Sequence, residues 1–306
     1  MAQELELIAP RGYCAGVDRA IETVERVLDE LGPPVYVRGE IVHNTHVVST
    51  LRERGAVFVA SESDVPRGET IVLSAHGVSP EVRRVCAERG LNVIDATCPL
   101  VSKVHAQVRR FAGRGATVFL VGHDGHEEVV GTRGEAPESV ALIETVEDAE
   151  TVQVADPENV ALTTQTTLSV DDTAEIVEVL KRRFPALSGS KLSDICYATR
   201  IRQDAVRGAG TAGADLVLVV GSRNSSNSNR MVEVARDRGA ESHLIDNLSE
   251  LDPSWLEGKS HVALTSGASA PEVLVQEVAD ALARAGFARG GEEGPSAEGG
   301  YFPVPL

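Results

Sequence analysis

No run of about 18 apolar residues occurs in the 306-residue sequence, so no membrane-spanning helix is expected. Aromatic residues are scarce at 4%, which leaves the cores to Val, Leu, Ile and Ala. Basic residues are outnumbered, with 29 Lys and Arg against 46 Asp and Glu and a net charge of −17. That balance argues against general binding to nucleic acid or to an anionic membrane surface, so any anionic ligand has to be captured locally. Neither G-x-x-x-x-G-K-[ST] nor G-x-G-x-x-G is present, which leaves nucleotide binding without support. The start, MAQELELIAP, has neither the basic residues nor the long apolar stretch of a signal peptide, and a cytoplasmic location is expected. Only four cysteines occur, none in a C-x₂-C pair, which is too few and too scattered for a disulfide framework. They read either as packed thiols or as metal ligands.

What is present is a globular composition, 42% hydrophobic and 25% charged. The length suggests two or three domains at roughly 150 residues each. Helical periodicity follows Cys14, where Val17, Ala20, Ile21, Val24, Val27, Leu28 and Leu31 mark one face before Gly32-Pro33. It returns after Cys98, with Pro99 suited to the first turn and Val101, Val104, Val108, Phe111 and Ala112 on one face. A less apolar stripe, Ile201, Ala205, Val206 and Ala209, follows Cys196. Three cysteines thus stand at helix starts, at almost equal spacing.

Each of these helices leads into an apolar run ending in polar residues: PVYVRGEIVHN, TVFLVGHDGH and DLVLVVGSRNSSNSN. A second such run follows in each third, in ETIVLSAHGVSPE, NVALTTQTTLSVDD and SHVALTSGASAPE. ELELIAPRGYC, LNVIDATC and KLSDIC deliver the chain to Cys14, Cys98 and Cys196. Continuous apolar runs alternating with helices imply parallel strands covered by helices, an α/β fold. The expectation is three similar small domains, 1–97, 98–195 and 196–286, in a pseudo-threefold arrangement, with the first strand completing the third repeat. Ligands of open parallel sheets bind beyond the carboxyl ends of the strands, which places one shared site at the centre. Residues 287–306, rich in Gly and Glu, read as a flexible tail.

Thiols at helix N-termini are biased toward thiolate and suit a metal. A structural zinc usually takes four ligands with a close pair among them. An iron–sulfur cubane accepts distant cysteines, and three of them leave one iron open to act as a Lewis acid. Cys86 lies inside a helical pattern and reads as a packed thiol. His43, His76, His123 and His126 stand at the strand ends. With Ser225, Ser226, Asn227 and Ser269 they offer donors suited to an anion such as diphosphate, although GSRNSSNSN also reads as an ordinary turn. Glu128, two residues after His126, is a candidate proton donor.

The segments PRGYCAGVDRAI, GEIVHN, SAHGVSP, DATCPLVSKVH, GHDGHEEVVGT, TQTTLS, DICYATRIRQ, GSRNSSNSNR and TSGASAPE occur in this order. In them the sequence resembles the 4-hydroxy-3-methylbut-2-enyl diphosphate reductase family, over about residues 5 to 282. The resemblance implies three α/β domains around a central [4Fe–4S] cluster held by Cys14, Cys98 and Cys196. It places His43, His76, His126, Ser225, Ser226, Asn227 and Ser269 on the substrate's diphosphate. Thr166 falls near the substrate hydroxyl, Glu128 governs proton delivery, and His126 counts among the catalytic residues as well. His46, His123 and Cys86 take no role. The implied reaction removes the allylic hydroxyl with two electrons and two protons to give isopentenyl and dimethylallyl diphosphates, the last step of the methylerythritol phosphate route. Reduced ferredoxin or flavodoxin supplies the electrons. Two features depart from the family: Glu127, where Pro is common, and the Gly/Glu-rich tail. Two other readings of the same residues are a cluster-dependent hydro-lyase, which needs no external reductant, and an iron–sulfur sensor or electron carrier.

Overall fold

The computed structural model describes residues 3–189, 194–211, 213–293 and 301–305. Strands and helices alternate along the whole chain. After β1 (Glu4–Ile8) and α1 (Ala15–Leu31) come β2 (Val35–Arg38), α2 (Thr45–Glu53), β3 (Ala56–Val59), β4 (Thr70–Leu73), α3 (Pro80–Glu88) and β5 (Asn92–Asp95). The next stretch runs α4 (Pro99–Ala112), β6 (Thr117–Val121), α5 (Glu127–Arg133), β7 (Val140–Ile143), α6 (Val146–Thr151), β8 (Val160–Thr164), α7 (Val170–Arg183) and β9 (Ser188–Gly189). The last comprises α8 (Tyr197–Thr211), β10 (Leu216–Val220), α9 (Ser226–Asp237), β11 (Glu241–Ile245), β12 (His261–Ser266), α10 (Glu272–Arg284) and β13 (Ala288–Glu293).

These strands form three sheets, ordered β11-β10-β12-β1-β13, β3-β2-β4-β5 and β7-β6-β8-β9, and every pairing is parallel. The order repeats. In each sheet the first strand of the repeat (β10, β2, β6) lies between the second, at the edge (β11, β3, β7), and the third (β12, β4, β8). The fourth, leading toward a cysteine, pairs with the third (β1, β5, β9). The fold is therefore α/β, and the sequence shows why: helices on both faces require strands apolar on both faces, and all five residues of β10 are buried. Burying one such Val or Leu contributes about 1.5–3 kcal/mol.

The chain forms two compact units. The first comprises Met1–Asp18, Val42–Thr50 and Tyr197–Tyr301, the second Arg19–Ile41, Leu51–Cys196 and Phe302–Leu306. In the first, Leu218, Val220, Leu264 and Val275 pack one side of the five-stranded sheet, and Val217, Val219, Met231 and Val206 the other. In the second, one core gathers Ile71, Leu73 and Cys86, while Phe119, Leu162, Val177 and Leu180 form another.

Two expectations are corrected or displaced. The tail is not wholly without structure, because Ala288–Glu293 forms β13 and pairs with β1 at the sheet edge. An edge strand is held by backbone hydrogen bonds, which a Gly/Glu-rich segment makes as well as any other. The strand expected in KLSDIC falls partly on 190–193, outside the described residues, and the strand that pairs with β8 is Ser188–Gly189.

Candidate functional site

Each of the three matching cysteines is fixed by its own backbone in the same way. Cys14 N–H donates to Ala268 O, Cys98 N–H to Ala75 O and Cys196 N–H to Thr166 O, all at 3.0 Å. Ala268, Ala75 and Thr166 stand just past the ends of β12, β4 and β8, the equivalent strands of the three sheets. Every repeat thus ties its cysteine to the loop beyond its third strand. All three cysteines are partly accessible and open a helix, with Cys98 the N-cap of α4 and Pro99 in its first turn. Cys86 differs, being wholly buried in α3 where burial pushes its thiol pKa up, so it stays protonated.

In the first unit, the loops after β10 and β12 and the segment before α2 converge. Ser269 donates its hydroxyl to His43 O at 2.9 Å. Asn227 accepts from Ala268 N–H through Oδ1 at 2.8 Å, so the residue that carries the Cys14 contact is itself held by the Ser-Asn segment. Ser225 is the N-cap of α9, its hydroxyl accepting from Ser228 N–H, with Ser226 opening the helix. His43, Ser225, Ser226, Asn227 and Ser269 are therefore gathered by direct bonds or by chain adjacency. Beneath them lies Arg202, 0% exposed, whose guanidinium donates to Ser266 O and Gly12 O, both at 2.9 Å. It clamps the Cys14 loop to the end of β12, which Gly12 N–H reinforces by donating to Ser266 Oγ at 2.8 Å.

In the second unit, Glu128 is 2% exposed, and its carboxylate accepts from Thr166 N–H at 2.7 Å and from Thr166 Oγ1 at 2.8 Å. Since Thr166 O also receives Cys196 N–H, one residue links the acid to the thiol loop. His126 caps α5, its Nδ1 accepting from Glu128 N–H at 3.2 Å. The neutral ring therefore carries its proton on Nε2, ready to donate to an anion. His76 stands edge-on to His126, ring centroids 6.0 Å apart, with Nδ1 2.9 Å from Glu127 Oε2. The turn bearing His76 is backed by a buried network. Gly77 (φ 76°) leaves so little room that a Cβ there would lie 3.1 Å from the His105 ring. His105 in turn holds Glu135 at 2.7 Å, which Arg109 also reaches at 2.8 Å.

Four residues in this machinery were not singled out from the sequence: Arg202, Asp194, His105 and Glu135. Asp194 accepts from Thr163 Oγ1 and Gln107 Nε2 two residues before Cys196. Arg202 had a visible signal, a charge on the apolar stripe of α8 between Ala198 and Val206. Thr166 had none beyond the resemblance, and His123, expected to have no role, donates its backbone N–H to Gln165 Oε1.

Among the described residues no helix is long and apolar enough to cross a membrane. The family model described as LytB protein matches residues 5–283. The 4-hydroxy-3-methylbut-2-enyl diphosphate reductase of Mycolicibacterium paratuberculosis is 59% identical over 282 residues, 92% of this chain and 85% of that one. The enzyme of the same name from Acidothermus cellulolyticus is 58% identical over 92% of this chain and 83% of its own. The solved structure of the E-1-hydroxy-2-methyl-but-2-enyl-4-diphosphate reductase from Plasmodium falciparum superposes with a TM-score of 0.96 at 39% identity, covering 100% of this chain and 96% of that chain. On the family match and on these identities, the chain belongs to the LytB protein family.

Proposed function

We propose that the protein is a cytoplasmic iron–sulfur reductase converting 4-hydroxy-3-methylbut-2-enyl diphosphate to isopentenyl and dimethylallyl diphosphates, the last step of the methylerythritol phosphate route. The observation that supports this most is the backbone bond repeated at Cys14, Cys98 and Cys196, together with the Glu128–Thr166 pair beside one of them. The donor set fits an iron–sulfur cluster: three partly accessible thiols on equivalent strand-to-helix junctions, and a fourth sealed in a core. A bound [4Fe–4S] cluster supplies single electrons, drawn from reduced ferredoxin or flavodoxin, and one iron lacking a protein thiolate as a Lewis acid.

The chain's own groups supply binding and protons. His43, His76, His126, Ser225, Ser226, Asn227 and Ser269 are assigned to the diphosphate. Thr166 donates its hydroxyl hydrogen to the ionised Glu128; with Glu128 protonated, the same hydroxyl accepts from the acid and turns its own hydrogen toward the substrate oxygen. Glu128, protonated from solvent between turnovers, delivers a proton as the C–O bond breaks. The balance is two electrons and two protons in and one water out: one proton leaves with the hydroxyl as water, and the other forms a C–H bond at either end of the allylic unit, which gives the two products.

Anaerobic purification with metal and sulfide analysis tests the cofactor. Brown protein with iron and acid-labile sulfide in equal amounts supports it. Colourless protein carrying stoichiometric zinc would refute it.

A further inference from the structure

Resting on the diphosphate reading above, we infer that Glu127 is a positioning residue that holds the His76 ring as an oriented cation toward the substrate's diphosphate. Three features of the second unit carry it. The first is the contact itself: His76 Nδ1 stands 2.9 Å from Glu127 Oε2, the carboxylate being the nearer partner, with the buried Ser74 hydroxyl 3.4 Å away on the same nitrogen. The second is the contrast with His126, whose Nδ1 accepts a backbone N–H and whose neutral ring already donates from Nε2. An ionised carboxylate only accepts, so Nδ1 of His76 must carry the proton. A neutral ring would then present a lone pair, not a hydrogen, from Nε2. Only the imidazolium both satisfies Glu127 and donates to an anion, and an adjacent carboxylate favours that form.

The third is the room made for the carboxylate. Gly39, just past β2, has φ 63°, and a Cβ there would lie 2.5 Å from Glu127 Oε1. The carboxylate fills the space that the missing side chain leaves. A proline at position 127 could make neither contact. Two neighbouring histidines thus become donors by different routes, one neutral and one charged.

The test is a double-mutant cycle on the cluster-loaded enzyme, reading kcat, KM and the inhibition constant of inorganic diphosphate. Glu127→Ala is expected to raise KM and the inhibition constant by about tenfold, the difference between a charged and a neutral hydrogen bond, with kcat largely retained. Glu127→Gln, which keeps a hydrogen-bond partner without the charge, should fall between. Gly39→Ala, which pushes the carboxylate aside, should weaken binding in the same direction. In a His76→Ala background the effect of Glu127→Ala should vanish. Unchanged or tighter diphosphate binding by Glu127→Ala, or an undiminished effect without His76, would overturn the inference. If His76→Ala itself left the inhibition constant unchanged, the diphosphate reading of His76 would fall first, and this inference with it.

Discussion

Glu128 receives both hydrogen-bond donors of Thr166, the backbone N–H at 2.7 Å and the hydroxyl at 2.8 Å. A carboxylate held twice by one residue has a fixed direction, which is what a proton donor needs. Glu128→Gln keeps size but loses the transferable proton, so turnover should fall roughly 10²-fold or more with KM little changed. Thr166→Val keeps the backbone contact and should cost less. The check is steady-state kinetics with a chemical reductant, comparing Asp124→Asn and Glu127→Gln. A loss of turnover confined to either of those would move the proton donor.

The four cysteines should separate cleanly. Cys14→Ser, Cys98→Ser and Cys196→Ser should each lower iron content, whereas Cys86→Ser should retain it. Cys86 sits in the core with Val65, Ile71 and Leu91, so a serine hydroxyl there should destabilise by about 1–3 kcal/mol. Iron per chain and denaturant midpoints, measured together, distinguish the two effects.

Arg202 is expected to matter for both folding and iron. Arg202→Met removes the donors to two buried carbonyls and should cost about 3 kcal/mol or more. It also releases Gly12 and Ser266, so iron retention at Cys14 should drop. A variant with unchanged midpoint and unchanged iron would remove Arg202 from this role.

Much of this was legible in the sequence, because strands buried on both faces write continuous apolar runs and helices between them keep their period. The three cysteine junctions followed from that alone. What escaped was set by contacts distant in sequence. Glu127 and His76 lie 51 residues apart, and only folding pairs them. The strands β3, β7 and β11 lie at sheet edges and are only partly buried, so they lack the pattern of a strand covered on both faces. β13 was hidden by composition, since an edge strand asks little of its side chains. Arg202 marks itself in the sequence only as a charge on the apolar stripe of α8.

The His105–Glu135–Arg109 network predicts a pH dependence of stability. Burial pushes the Glu135 pKa up, but hydrogen bonds from His105 and Arg109 outweigh it, and the net value lies below the ordinary 4.5. In that range the unfolded chain binds the proton more readily, so stability from this group is present above about pH 4.5 and is lost as pH falls through the lower folded value. Urea midpoints from pH 6 down to pH 3 should therefore fall more steeply for the native chain than for Glu135→Gln. Parallel curves would show that the network contributes no such term.

The proposed reaction breaks a C–O bond with electrons supplied one at a time. The direct measurement is product analysis after anaerobic incubation of cluster-loaded protein with 4-hydroxy-3-methylbut-2-enyl diphosphate, with and without a one-electron chemical reductant. Isopentenyl and dimethylallyl diphosphates are expected only when reductant is present, with two electrons consumed per product molecule. Conversion of the substrate without reductant, or no conversion by iron-replete protein with it, would contradict the account.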